Sequence, residues 1–176
     1  MKEGQRLRLS ASVVQMLNEA ESWTGRMHIH KLLYFAQELL GLDSEYEFVL
    51  YQRGPYSFEL DADIRSLRSI GAVDITPKPP PYGPSYGVTD LGKVLGKPSP
   101  VGDPMVAKLR ELAKELGPRH ATELELLATT LYVLSNERPE SDKATVARVL
   151  SLKPQFSEDQ AENALQQVKQ IRERFR

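Results

Sequence analysis

A helix that is apolar around most of its circumference belongs in the middle of a core. Residues 27–40 make such a helix. Leu32, Leu33, Tyr34, Phe35, Ala36, Leu39 and Leu40 leave little room for a solvent face, and Gly41 supplies the left-handed stop that ends it. The rest of the chain must wrap this axis, and its pattern is mostly helical. Leu9, Val13 and Leu17 give a helical stripe over 9–20, with Ser10 as the expected N-cap. Leu60, Ile64 and Leu67 give another, opened by Ser57 and stopped at Gly71. Asp103 as N-cap, with Pro104 behind it, predicts a helix to Leu116. Helices over 122–135 and 142–150 follow, and the last opens at Ser157, where Gln160 completes a capping box.

Three short runs rich in β-formers interrupt this pattern: 48–51, 72–76 and 85–88. The last two flank the proline-rich stretch 77–84 and predict a hairpin with a stiff tip; Thr89 then caps a short helix over 90–95. Gly54-Pro55 reads as a turn between the first run and the helix that follows it. The expected fold is mainly α, within the α+β class: about seven helices with one short winged-helix-like β-hairpin. It spans 1–176 as one domain, and a subdomain boundary, if there is one, falls at the prolines of 97–104.

Composition narrows the chemistry. A chain of 176 residues buries enough surface to fold without staples, and it has no cysteine, which excludes disulfides, thiolate metal sites and cysteine nucleophiles. A net charge of −1 gives no global attraction for nucleic acid. The segment Met1 to Ser10 lacks the apolar centre of a signal peptide and no run reaches membrane-span length, so a cytoplasmic location is expected. His28, His30 and His120 show no metal-ligand spacing, and no phosphate loop or nucleophile elbow is present. No catalytic residue, metal or cofactor is assigned, and the chain is expected not to be an enzyme.

The stretch with most character is 48–63. Tyr51, Arg53 and Tyr56 surround Gly54 and Pro55, and Glu59, Asp61 and Asp63 crowd the start of the next helix. The acids suit the positive end of a helix dipole; they could also stand in for phosphates before a basic partner, with Tyr51 and Tyr56 as rigid anchors. Charge reversal at Asp61 and Asp63 would then weaken partner binding. The hairpin and its preceding helix also fit a winged-helix DNA-binding regulator. Against ordinary docking, residues 41–70 carry six acidic and three basic side chains, and carboxylates at the start of a recognition helix would face phosphates. Basic residues cluster instead at Lys108, Arg110, Lys114 and Arg119 and at Lys169, Arg172, Arg174 and Arg176.

Three motifs carry a family resemblance. They are Lys31-Leu32-Leu33-Tyr34-Phe35-Ala36-Gln37, the stretch from Tyr51 through Gly54-Pro55-Tyr56-Ser57 to Asp63-Ile64, and Tyr86-Gly87-Val88-Thr89-Asp90-Leu91-Gly92. With these the chain resembles the SocA-like, or Panacea, antitoxin-associated domains, most closely their YwgA-like bacterial members. It is also similar to the C-terminal domain of the DarG antitoxin, which opposes a DNA-ADP-ribosylating toxin. The N-terminal macrodomain of that antitoxin has no counterpart in these residues, so its activity is not expected here. The resemblance implies a helical, non-enzymatic domain that binds a partner protein, often a toxin, and it marks Lys31, Tyr34, Gly54, Pro55 and Tyr56 as motif positions. The expected partner surface is Lys31, Tyr34, Tyr51, Arg53, Gly54, Pro55, Tyr56, Glu59, Asp61 and Asp63, with direct nucleic-acid binding and membrane association disfavoured.

Overall fold

The computed structural model describes residues 3–175 of the chain; Arg176, counted above in the C-terminal basic cluster, lies outside the described residues. The mainly helical expectation holds, with eight α-helices and two small antiparallel hairpins instead of one among the described residues. In chain order they are α1 (Glu3–Glu19), α2 (Arg26–Leu40), β1 (Val49–Tyr51), β2 (Gly54–Tyr56), α3 (Phe58–Ser69), β3 (Val73–Thr76), β4 (Ser85–Val88), α4 (Asp90–Leu95), α5 (Asp103–Leu116), α6 (Ala121–Tyr132), α7 (Asp142–Leu152) and α8 (Glu158–Phe175). A π-helical turn, Val133–Glu137, prolongs α6.

The apolar helix is the axis its sequence demands. In α2 every residue from His28 to Ala36 is buried, and the helix packs against α1, α5, α6 and the first hairpin. Gly41 ends it in the left-handed region at φ 65°. Helix α5, reached through the proline-rich 97–104 connection, also packs on α1, so residues on both sides of that connection share one core.

Local capping chemistry sets several boundaries. The Ser57 hydroxyl accepts the Leu60 N–H and opens α3; Thr89 does the same for Gly92 and opens α4. At α8, Ser157 and Gln160 exchange two bonds, N–H to Oε1 at 2.9 Å and N–H to Oγ at 3.2 Å, as the capping box requires. Two expected caps fall elsewhere. Ser10 is buried inside α1, because the helix begins well before it, and its hydroxyl meets Tyr46 Oη at 2.8 Å. Asp103 is the first helical residue of α5, with Gly102 at the N-cap, so its carboxylate serves the helix dipole.

The largest departure concerns residues 48–57. Gly54-Pro55 is not the turn. The chain reverses at Gln52-Arg53, and Gly54 and Pro55 lie in β2, paired with Tyr51 and Leu50. Gly54 takes φ 82°, a conformation that favours glycine and twists the hairpin closed.

Candidate binding site

The β1–β2 hairpin is pinned to the helices by a buried polar network. Lys31 Nζ donates to the Pro55 carbonyl at 2.6 Å, and Lys153 Nζ donates both to the Gln52 carbonyl and to Glu125 Oε1, the latter at 2.6 Å. Gln155 Nε2 adds a bond to the same carboxylate oxygen at 3.2 Å. Glu125 is thus ion-paired with Lys153 and acts on Lys31 through its charge. Desolvation dominates at Lys31 and pulls its ammonium down to about 7; Glu125 works against this and Lys153 with it.

Gly54 sits where this network closes. A Cβ there would lie 3.0 Å from Thr129 Oγ1, 3.3 Å from the Glu125 carbonyl and 3.5 Å from Lys31 Nζ. Gly54→Ala therefore meets both a left-handed backbone and a crowded wall. We expect it to lower stability by about 1–3 kcal/mol, read as a reduced urea midpoint with an unchanged m-value. A variant as stable as the wild type would show that the hairpin relaxes freely.

These positions correct the expected partner surface. Lys31, Gly54 and Pro55 are buried and architectural. So is Tyr34, 2% exposed, which packs on Phe48 at 5.4 Å between ring centroids and faces Asn136 Nδ2 at 3.5 Å. Asp61 and Asp63 are also buried, at 7% and 6% exposed. Asp61 pairs with Arg26 and with Arg65, each at 3.3 Å, tying α3 to the start of α2. Asp63 accepts the Tyr46 hydroxyl at 2.8 Å and pairs with Arg6 at 3.4 Å. A carboxylate only accepts, so the Tyr46 proton points to Asp63 and the Ser10 hydroxyl donates to Tyr46. Two of the three acids offered as phosphate mimics are therefore consumed inside the fold, and charge reversal there would break structure before it touched a partner. Glu59 alone remains exposed, its Oε2 taking the Ser57 hydroxyl at 2.8 Å.

What the hairpin does present is aromatic. Tyr51 is 49% exposed and Phe58 58%, and Val49 beside them is 45% exposed. Tyr56 forms a triangle with these two rings, 5.7 Å from Tyr51 and 5.2 Å from Phe58, which are 5.7 Å from each other. Its other neighbour is the buried His30, stacked at 4.2 Å with the planes 9° apart. Phe58 was not among the expected site residues. Its only sequence signal is an aromatic at the first helical position after the Ser57 cap, with no apolar side chain larger than Ala62 at i+3 or i+4 to cover it. Arg53 is exposed at the hairpin tip, without an ion pair among the described residues.

The basic clusters are largely neutralised. Arg119 pairs with Glu115 and Glu123, Lys114 with Glu111, Lys169 with Asp142, and Arg174 with Glu115. Among the described residues, no group of three His, Asp or Glu side chains has the arrangement of a metal site, and no helix is long and apolar enough to cross a membrane. No family model matches the chain, and no curated protein is significantly similar to it.

Proposed function

We propose that this chain is a non-enzymatic protein-binding module of the antitoxin type, acting in the cytoplasm to neutralise or regulate a partner protein. The observation that carries this reading is the ridge formed by Val49, Tyr51, Tyr56 and Phe58. Its three rings contact one another, Tyr51 and Phe58 stay open to solvent, and the hairpin that carries Tyr51 and Tyr56 is pinned from beneath by Lys31 and Lys153. Pre-ordered aromatic side chains lose little entropy on docking and dominate interface energetics, so such a ridge is a natural anchor. The resemblance to SocA-like and YwgA-like domains points the same way. Recognition through this ridge is aromatic in character; the burial of Asp61 and Asp63 leaves nucleic-acid mimicry little charge to work with.

The test is quantitative capture of the tagged protein's partner from its own host, wild type against Tyr51→Asp/Phe58→Asp. Both side chains are exposed, so the variant keeps the core. We expect a partner retained by the wild type and reduced at least about tenfold in the variant. Equal recovery from both would place the contact elsewhere.

A winged-helix DNA-binding regulator is the second reading. In its favour, the β3–β4 hairpin follows α3 directly and Arg68 is exposed near the end of that helix. Against it, the first turn of α3 presents Phe58 and Glu59, and Arg65 is tied to Asp61. Duplex binding that falls steeply with salt would favour this reading, and no binding at low salt would remove it.

A further inference from the structure

A cavity of about 220 Å³ lies between the first turns of α2 and the β1–β2 hairpin. Met27, Tyr51 and Tyr56 give it apolar walls; His30, Lys31 and Arg53 give it polar ones. Within it His30 presents a problem that the fold does not solve. Its Nδ1 receives the Ser57 backbone N–H at 3.3 Å and so is an acceptor. In a neutral imidazole the proton must then sit on Nε2. That Nε2 is buried and has no hydrogen-bond partner among the described residues. Burial, with Lys31 and Arg26 nearby, holds the ring neutral down to about pH 3, so this orphan is a donor under any ordinary condition. Buried donors are nearly always paired, and an unpartnered one on a residue that lines a cavity asks for an acceptor from outside.

His28 offers the contrast. Its Nε2 meets the Arg119 carbonyl at 2.9 Å and must donate, which leaves Nδ1 as an unpaired acceptor away from the cavity. The charge around His30 selects the kind of acceptor. Arg26 is committed to Asp61, but the Arg53 guanidinium is unpaired, and Lys31 Nζ has one bond, to Pro55, with donor capacity left over. Among the described residues, no carboxylate lines the cavity.

We infer that this cavity binds a carboxylate carried on a small apolar body, with one oxygen taking the His30 Nε2–H, the Lys31 ammonium as second donor, and Arg53 closing over the charge at the mouth. Two inner donors match the two oxygens of a carboxylate, and the Arg53 guanidinium complements its charge. The body of the ligand lies between Tyr51, Tyr56 and Met27. The carboxylate comes either from a free organic acid or from the C-terminus of a polypeptide, and the same two donors would recognise both.

The test uses long-range ¹H–¹⁵N spectra of the histidine side chains in the intact protein. The ligand-free spectrum should show His30 in the Nε2–H tautomer; the Nδ1–H tautomer would overturn the proposal. Benzoate is then titrated, with benzamide as the neutral control and an acetylated tripeptide ending in phenylalanine as the polypeptide arm. We expect saturable shifts of the His30 resonances by an acid, with Kd on the order of 1 mM, and at least about tenfold weaker binding of the amide. Tighter binding of the tripeptide acid identifies a chain terminus as the natural ligand, and tighter binding of benzoate identifies a free acid. Arg53→Gln, which alters only an exposed side chain, should weaken the acid about threefold or more and leave the amide unchanged. Acid and amide binding alike, or neither acid moving His30, overturns the site.

Discussion

Replacing Glu125 with alanine is expected to cost about 3–5 kcal/mol of folding stability, a fall in melting temperature of roughly 6–20 °C for a chain of this size. Glu125 is 7% exposed and takes Lys153 Nζ at 2.6 Å, and it is the acidic neighbour that favours the charged form of Lys31. Without it two buried ammoniums face each other across the base of the β1–β2 hairpin. Lys153→Met should cost less, because Gln155 still serves the carboxylate at 3.2 Å and Lys31 remains within electrostatic reach. The double variant Glu125→Leu/Lys153→Met removes the pair together. It should recover a large part of the loss, since a buried pair is worth far less than the penalty for stranding half of it. Urea denaturation of the three variants checks this ordering. A Glu125→Ala protein no weaker than Lys153→Met would mean that water reaches the network and screens it. The hairpin carries the aromatic ridge, so the same variant should also lose partner binding through disorder of Tyr51 and Tyr56.

What could be read from the chain beforehand follows the range of the interactions involved. Local chemistry was legible: Gly41 ends α2, Ser57, Thr89 and the Ser157–Gln160 pair open α3, α4 and α8, and each acts within a few residues. The apolar run of α2 announced its own burial. The β1–β2 hairpin was not legible, because its closure depends on ammoniums from Lys31 and Lys153, on α2 and just past α7. Nothing near Gly54 shows that its carbonyl neighbours will be claimed from afar, so the dipeptide passed for a turn. The acids fail for the same reason. Asp61 and Asp63 look like a solvated helix start until Arg26, Arg6 and Tyr46 are brought to them by the fold. Within the 48–63 stretch the expected placement is reversed: the carboxylates of Asp61 and Asp63 lie inside, and the rings of Tyr51 and Phe58 lie outside. Lys31 and Tyr34, both buried in α2, are supports beneath that surface.

The buried cations also predict an unusual dependence of stability on pH. Burial holds His30 at about 3, against 6.5 for an ordinary imidazole, and Lys31 at about 7, against 10.5 for an ordinary lysine. Between pH 3 and 6.5 the unfolded chain binds a proton at His30 that the native protein refuses, so stability falls as the medium is acidified through this window. His28, lowered by the same desolvation, adds to the loss. Between about 7 and 10.5 the unfolded chain again holds the extra proton, now on Lys31, so stability rises with pH across that range. Each fully offset group contributes a slope of about 1.4 kcal/mol per pH unit. Tyr34 and Tyr46, raised by burial, reverse the trend in strong alkali, because the native protein keeps phenolic protons that the unfolded chain releases. The protein should therefore be most stable at about pH 9–10, above the neutral optimum usual for domains of this kind. Urea midpoints measured from pH 4 to 10 test this in the wild type, His30→Phe and Lys31→Met. His30→Phe should flatten the acid limb and leave the alkaline rise in place; Lys31→Met should do the reverse. A wild-type profile that is level between pH 7 and 9 would show that Glu125 holds Lys31 fully charged, and the hairpin would then rest on a complete ion network instead of a half-neutral one.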